Sequence, residues 1–332
     1  MNTPTVEPTQ LPGRLTYRLL RWLVLFVLLG TALSLGGMVW SGWDEVTRAL
    51  ARLNWLWLAG AAFVASTAYV IRFVRWHLAL RCLGHRVPLG INLVIYLSGL
   101  ALTTSPGKLG ETIRSLFLMP RGVPLAKSLG AFLADRLSDV LGVCLLGAVA
   151  GLLVRGSLNV VGVVMGAVLG GSFALCHLVR RPPMFDRAMA FASRWGFAPG
   201  RVAVEALAQW AQIWTLRNAM LFTLLAALAY GIQAAVFTLL CAALGLPFPP
   251  TVALEVFVNA TLLGAASMVP GGLGTMEASL VFQLMGQGAE KADAVAIAIA
   301  TRCVTLWCGV LIGLISFAGL CVPVKPNNLS ST

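Results

Sequence analysis

The chain has 332 residues, of which 58% are hydrophobic and 11% are charged. This composition excludes an ordinary soluble domain. It predicts an all-α, polytopic membrane protein, because several apolar runs can cross a hydrocarbon core of about 30 Å. The formal net charge of +12 would suit nucleic-acid binding, but the arginines alternate between dense and sparse loops, which is the positive-inside pattern. Nucleic acid is therefore not an expected partner.

About six full transmembrane helices are predicted. In chain order they lie at about 22–40, 56–71, 126–153, 158–179, 218–245 and 292–320. The arginines that precede the first span or follow the second are Arg14, Arg18, Arg21, Arg72, Arg75, Arg81 and Arg86. The positive-inside pattern places these loops in the cytoplasm. The sequence thus predicts a multi-pass protein of the cell (inner) membrane with both termini cytoplasmic.

Two further apolar stretches are interrupted by proline and glycine. They run from Leu89 to Pro120 and from Val252 to Met285. About eleven residues follow the break in the first stretch, too few for a crossing, and a full crossing would put Arg121 and Lys127 on the wrong side. We therefore predict two re-entrant hairpins, in which a helix enters the membrane, breaks and leaves on the same face.

The two breaks repeat each other in sequence. Ser-Pro-Gly-Lys-Leu-Gly-Glu at 105–111 recurs as Val-Pro-Gly-Gly-Leu-Gly at 269–274, and each copy follows a Leu-Gly pair. Each also precedes a long apolar helix with one arginine, Arg136 or Arg302. Such duplicated breaks are the best sequence indicator of a transporter's binding site. The residues expected to form the hairpins are Pro106, Gly107, Gly110, Pro270, Gly271, Gly272 and Gly274.

The predicted organisation is one membrane domain with short tails. Residues 1–20 are expected to form a cytoplasmic N-terminal tail, 21–320 the transmembrane domain and 321–332 a C-terminal tail. Repeat one covers about 22–155 and repeat two about 158–320, with opposite orientations in the membrane, as in the inverted repeats of secondary transporters. So little remains outside the membrane that no soluble catalytic domain is expected within these residues.

Six ionisable residues lie close together in the apolar context of repeat one. They are Lys108, Glu111, Arg114, Asp135, Arg136 and Asp139. Because each charge at the bilayer centre costs about 2.5–3.5 kcal/mol, these side chains must face one another or a wet cavity. Two interpretations stay open: a structural ion-pair network, or direct handling of substrate or protons. In repeat two, Glu277 and Arg302 are the corresponding candidates and can pair across hairpin and span.

The first break also suggests an anion site. Ser105 can cap a helix and Pro106 suits its first turn, so a new helix is expected to begin inside the membrane. Its free N–H groups and Lys108 would then favour a phosphate. The plainer alternative is that the glycines only permit a tight turn. No metal-ligand spacing or nucleotide motif is present, and no cofactor, metal or catalytic residue is predicted.

The motifs resemble a known family. "PGKLGETIRSLFL", "ADRLSD" and "VPGGLGTMEASL" are similar to the membrane region of lysylphosphatidylglycerol synthases and the wider flippase-like integral membrane family. The resemblance implies movement of a phospholipid or glycolipid between leaflets. It covers nearly the whole chain but leaves no counterpart of the cytoplasmic aminoacyl-transferase domain, so lysine transfer and enzyme activity are not expected.

The sequence therefore favours a translocator of an anionic lipid. Lys108, Arg114 and Arg136 would hold the headgroup phosphate, and the neighbouring carboxylates would hold those cations in place. The expected partners are a membrane lipid as substrate and an enzyme of lipid modification or glycosyl transfer. Two alternatives remain: an intramembrane transferase that uses Glu111, Asp135 or Asp139 as a base, and a non-transporting scaffold for a lipid or glycan biosynthesis enzyme.

Overall fold

A computed structural model shows an all-α chain. The structure describes residues 42–156, 160–194, 198–246 and 248–321 and a few single positions between 21 and 40. The side chains at 106–109, 155, 194, 198 and 321 lie outside this description, as does most of the predicted span at 22–40. The helices are α1 (Trp43–Arg52), α2 (Trp55–Cys82), α3 (Leu89–Ser98), α4 (Arg114–Leu118), α5 (Leu125–Arg155), α6 (Val160–Val179), α7 (Pro182–Arg194), α8 (Ala198–Ile213), α9 (Leu216–Ala243), α10 (Pro250–Ala266), α11 (Thr275–Gly286), α12 (Lys291–Arg302) and α13 (Cys308–Cys321).

Five helices in the described part of the chain are long and apolar enough to cross a membrane. They are α2, α5, α6, α9 and the run Lys291–Leu320, in which α12 continues into α13. The second to sixth predicted spans each correspond to one of these five candidate spans. The end of the second span was predicted wrongly: α2 continues past residue 71 to Cys82. Arg72 and Arg75 belong to the helix rather than to a loop, because Arg75 pairs with carboxylates of α5 and Arg72 contacts polar side chains of α9.

Side-chain contacts show which helix ends lie together. Lys127 at the start of α5 donates to the Leu83 carbonyl, 3.2 Å away, and the Asn218 amide at the start of α9 lies 3.6 Å from the Cys82 Sγ. We call this side of the bundle the Cys82 end. At the opposite side, the Arg52 end, Arg52 pairs with Asp293 near the start of α12. Thus α2 and α12 run from the Arg52 end to the Cys82 end, and α5 and α9 run the other way.

The first broken segment begins and returns at the Cys82 end. Near its start, the Asn92 Oδ1 accepts from the Trp76 Nε1, 3.3 Å away. After α3 the chain forms a 3-10 turn at Gly99–Leu102, then a second at Pro106–Ile113, and α4 leads back towards α5. The Gly110 N–H donates to the Ser105 Oγ over 2.6 Å. A Cβ on Gly110 would lie 2.6 Å from the Leu102 Cβ, so this turn closes only with glycine.

The second broken segment begins and returns at the Arg52 end. Leu284 at the end of α11 belongs to the same apolar cluster as Leu53. Between α10 and α11 the backbone is left-handed at three glycines, with φ of 62° at Gly271, 63° at Gly272 and 82° at Gly274. Only glycine adopts this conformation readily. Both breaks thus occur at the predicted Pro-Gly motifs, whereas membrane re-entry and the inverted repeat stay predictions.

The amphipathic helix α8 packs into the bundle with its apolar face. Trp210 of α8 and Trp214, which directly follows the helix, are buried. The Trp214 Nε1 donates to the Ser172 Oγ of α6 over 3.0 Å. A Cβ on Gly130 of α5 would lie 2.9 Å from the Trp210 backbone nitrogen. The close approach of α5 covers this face of α8 within the chain itself.

Candidate functional site

The two breaks meet near the centre of the bundle. A Cβ placed on Gly271 would lie 3.3 Å from the Thr104 Cα, so the turn of one segment rests against that of the other. A cavity of about 310 Å³ lies beside this contact. Its polar lining includes Arg72, Arg136, Asp139, Tyr230, Gln233 and Arg302. The rest of the lining is largely apolar and comes from both breaks, from α2, α5, α10, α11 and α13, and from the turn at Cys303–Trp307.

The cavity carries an excess of positive charge. Among the described residues, three arginines line it, Arg72, Arg136 and Arg302, against one carboxylate, that of Asp139. The side chain of Arg136 is 18% exposed and that of Arg302 is 8% exposed. Charges interact strongly where little water screens them. This arrangement suits an anion with an apolar body.

A group of six charged residues, which we call the first-break cluster, lies behind and beside the cavity. It comprises Arg75, Glu111, Arg114, Asp135, Arg136 and Asp139. Three arginines balance three carboxylates, so these six residues together are neutral. All but Arg136 are more than nine-tenths buried. Mutual neutralisation explains how they are tolerated in an apolar bundle.

Arg75 and Arg136 both bridge the two aspartates of α5. The Arg75 Nε donates to the Asp135 Oδ1 over 2.7 Å, and its Nη2 donates to the Asp139 Oδ1 over 2.6 Å. The Arg136 Nη2 lies 2.5 Å from the Asp135 Oδ2, and its Nη1 lies 3.1 Å from the Asp139 Oδ2. Asp135 and Asp139 share a helix face because they are four residues apart. The two arginines therefore fix both carboxylates.

Glu111 and Arg114 join the first break to this network. The Arg114 Nη2 donates to the Glu111 Oε2 over 2.8 Å, and the Arg136 Nη2 lies 3.5 Å from the same oxygen. The Thr103 hydroxyl donates to the Glu111 Oε1 over 2.9 Å. The Arg114 guanidinium also lies 4.1 Å from the centre of the Tyr96 ring. Arg114 is fully buried and serves to hold the break in place.

On the opposite wall, Arg302 holds the second break. Its Nε donates to the Glu277 Oε1 over 2.7 Å and its Nη2 donates to the Gly271 carbonyl over 2.5 Å. The pair expected between Glu277 and Arg302 is therefore formed. A π-helical turn at Cys303–Trp307 follows directly, and the Tyr69 hydroxyl donates to the Thr305 carbonyl in it. Such turns are frequent at functional sites.

The predicted site residues separate into two groups. Arg136, Asp139, Arg302, Gly271 and Gly272 line the cavity. The others described are near it but not in its lining: Glu111, Arg114, Asp135, Glu277, Gly110, Pro270 and Gly274. The side chains of Pro106, Gly107 and Lys108 lie outside the described part.

The helix terminus predicted as an anion site is not an α-helix. Pro106 begins a 3-10 turn that continues to Ile113, and the N–H of Gly110 is used by Ser105. The geometry of a 3-10 turn is poorer and its dipole shorter than those of an α-helix. Arginine side chains therefore supply the described positive charge of the cavity.

Sequence reasoning missed four residues of the site. Arg72 and Arg75 were assigned to a cytoplasmic loop, and Tyr230 and Gln233 were not singled out. The signal was present: Ala-Tyr-x-Ile-Arg, ending at Arg72, recurs as Ala-Tyr-x-Ile-Gln, ending at Gln233, 161 residues later. The Leu-Gly pairs have the same spacing. Extending the repeat backwards from the Leu-Gly pairs would have assigned Arg72 and Gln233 to equivalent positions within two spans.

Comparison with known families identifies one match. The family described as "Lysylphosphatidylglycerol synthase TM region" matches residues 27–313. The matched range contains both breaks, the first-break cluster and every residue of the cavity lining. A comparison with curated proteins found no match. Within the residues that the structure describes, no group of three or more His, Cys, Asp or Glu side chains is placed to hold a metal ion.

Proposed function

We propose that this chain, which belongs to the lysylphosphatidylglycerol synthase TM region family, is a flippase-like translocator of an anionic phospholipid or lipid-linked intermediate. The observation that carries the proposal is the cavity where the two breaks meet. In the part of the chain that the structure describes, three arginines and one carboxylate line it, in otherwise largely apolar surroundings. A headgroup phosphate would bind the arginines, while acyl chains would remain against the apolar wall and the bilayer.

The proposed path depends on an inverted repeat with two re-entrant hairpins. In support, α2 and α9 have 28 residues each, and the glycines that follow them have φ of 80° and 78°. Pro88 and Pro249 then precede the broken segments with nearly equal dihedral angles. The two segments begin and return at opposite ends of the bundle. Transporters of this plan alternate access by rocking one half against the other around a central site.

Charge distribution supports an orientation. Arg81, Arg86, Lys127 and Arg180 lie near the Cys82 end, which the positive-inside rule places in the cytoplasm. Both termini are then cytoplasmic, in a cell (inner) membrane. No ATP-binding motif occurs in the sequence, so we expect movement to be downhill or coupled to an ion.

Roles follow from position. Arg136 and Arg302 would contact the headgroup directly. Glu111, Asp135, Asp139 and Glu277 would hold the arginines in place. Each of these carboxylates contacts an arginine, which disfavours the alternative of a free intramembrane base in a transferase.

The test fills the cavity without changing its charge. Ala265 lines the cavity, whereas its neighbour Ala266 is exposed and outside the lining. In reconstituted vesicles, a labelled phosphatidylglycerol is followed between leaflets. Ala265→Trp should slow exchange at least about tenfold, because an indole fills much of a small cavity, while Ala266→Trp should match the parent. Equal rates for parent and Ala265→Trp would refute the path through this cavity.

The same vesicles separate the remaining alternatives. Mass spectrometry of the recovered lipid would reveal a chemically altered product if the chain is a transferase. A scaffold would show neither exchange nor product. A scaffold needs a surface that can bind its partner enzyme. One candidate surface, the apolar face of α8, is already covered within the chain by α5, which disfavours this alternative.

A further inference from the structure

Arg72 differs from the other charged residues of the site because it lacks a carboxylate partner. Among the described residues, ion pairs involve Arg75, Arg114, Arg136 and Arg302 but not Arg72. Arg72 is nevertheless only 7% exposed and lines the cavity. A buried charge without a counter-ion is costly. A ligand that brings an anion into the cavity would supply the missing counter-ion.

The contacts of Arg72 orient it towards such a ligand. Its guanidinium carbon lies 4.4 Å from the centre of the Tyr230 ring, and its Nη2 donates to the Gln233 Oε1 over 3.3 Å. Its Nε has no hydrogen-bond partner in the described part of the chain. A buried N–H that is left unsatisfied costs stability. One face of the guanidinium is thus held by α9, the Nε is left without a partner, and Arg72 lines the cavity.

The position of this contact is also informative. Arg72 and Gln233 are 161 residues apart and end the repeated Ala-Tyr-x-Ile motif of α2 and α9. They therefore occupy equivalent positions in the two proposed repeats, contact each other and both line the cavity. A site on the axis that relates two halves remains at the centre when the halves rock. Of these two equivalent positions, one carries an arginine and the other a neutral glutamine. One positive charge at this point suits one anion.

We propose that Arg72 binds the phosphate of a phosphodiester lipid headgroup with one net negative charge, with Tyr230 and Gln233 as positioning residues. This inference rests on the proposed function for the kind of molecule that enters the cavity, and it adds the group that recognises it. A zwitterionic headgroup would bring its own cation against Arg136 and Arg302. Anionic phosphatidylglycerol should therefore bind more tightly than phosphatidylcholine.

Binding is measured apart from transport, by thermal unfolding of the purified protein in a neutral detergent. The probes are short-chain phosphatidylglycerol, short-chain phosphatidylcholine and glycerol phosphate. For the parent and for Arg81→Gln, an exposed arginine of the same helix, we expect saturable stabilisation by phosphatidylglycerol alone. For Arg72→Gln, the lipid concentration that gives half-maximal stabilisation should rise at least about tenfold, because one charge-assisted contact is lost. The exchanged variant, Arg72→Gln with Gln233→Arg, should recover most of the affinity.

Each outcome decides the proposal. Without lipid, Arg72→Gln should be at least as stable as the parent, because it removes an uncompensated buried charge; a marked loss would indicate a structural role and overturn the proposal. Unchanged affinity in Arg72→Gln would overturn it as well. If glycerol phosphate stabilises the parent as effectively as the lipid, the ligand is a free phosphate and the lipid assignment fails. A parent that binds lipid but moves none would refute the transport function and leave the Arg72 site standing.

Discussion

The two breaks that meet at the cavity are held in different ways. Behind the first lies the first-break cluster, in which three arginines and three carboxylates neutralise one another under deep burial. The second is shaped by left-handed glycines and held by Arg302. Its break also contains Met268, which is 65% exposed and has a φ of 54°, an unfavourable conformation for a side chain of this size.

This difference indicates which half of the site can move. Disrupting a buried network leaves several charges uncompensated at once. By contrast, Arg302 and Glu277 form one ion pair, and the Glu277 side chain is 23% exposed. Breaking this pair would leave one carboxylate that water can reach. We therefore expect the first break to be the fixed wall of the cavity and the second to be the part that opens.

The largest effect should come from removing the cation that joins α2 to α5. Arg75→Leu leaves Asp135 and Asp139 with Arg136 as their remaining described partner. Breaking a buried ion pair by removing one partner costs about 3–5 kcal/mol. The free energy of unfolding in mixed micelles should fall by that amount. Arg81→Leu, on the same helix but exposed, is the control, and a loss no greater than the control's would contradict a fixed first wall.

A smaller effect should come from the tight turn of the first break. A Cβ on Gly110 would lie 2.6 Å from the Leu102 Cβ and 2.7 Å from its carbonyl oxygen. Gly110→Ala should therefore cost about 1–3 kcal/mol through overpacking, measured in the same unfolding assay. Gly166 of α6 has open space around it, so Gly166→Ala should be neutral or slightly stabilising. Equal values for the two variants would show that this turn has room to adjust.

The smallest change in the free energy of unfolding is expected for Glu277→Gln, together with faster local opening of the second break. Glu277→Gln removes the charge of a partly exposed pair, so we expect a loss of about 1 kcal/mol or less. Hydrogen exchange of residues 268–276 should nevertheless become faster, because Arg302 loses its carboxylate partner. Exchange at 99–113 should not change. If both breaks respond alike, they form one rigid unit and the comparison between them fails.

Much of this fold was predictable because its signals are local. The five described spans follow from hydropathy, and the breaks follow from the Pro-Gly motifs, which interrupt helices wherever they occur. The grouping of Glu111, Arg114, Asp135, Arg136 and Asp139 followed from the cost of charge in an apolar environment. The pair of Glu277 with Arg302 followed for the same reason.

The missed residues had ambiguous local signals. Arginine after an apolar run is normally read as the end of a span, and Arg72 and Arg75 fit that rule until their partners are known. Those partners are on α5 and α9, far away in sequence. Likewise, the capping pattern of Ser105 and Pro106 suits an α-helix, and the contacts of Gly110 with Leu102 and Ser105 instead accompany a 3-10 turn. Contacts with distant residues decided the first case, and contacts within the break decided the second.

The most direct test of the central claim joins the two breaks covalently. A Cβ on Gly271 would lie 3.5 Å from the Thr104 Cβ, at the lower end of the range of about 3.5–4.5 Å found in disulfides. The variant with Thr104→Cys and Gly271→Cys should cross-link in the membrane on oxidation and stop lipid exchange. Reduction should restore exchange, and each single variant should be insensitive to oxidant. Failure to cross-link, or exchange at the same rate in the cross-linked protein, would contradict a path that opens between these two breaks.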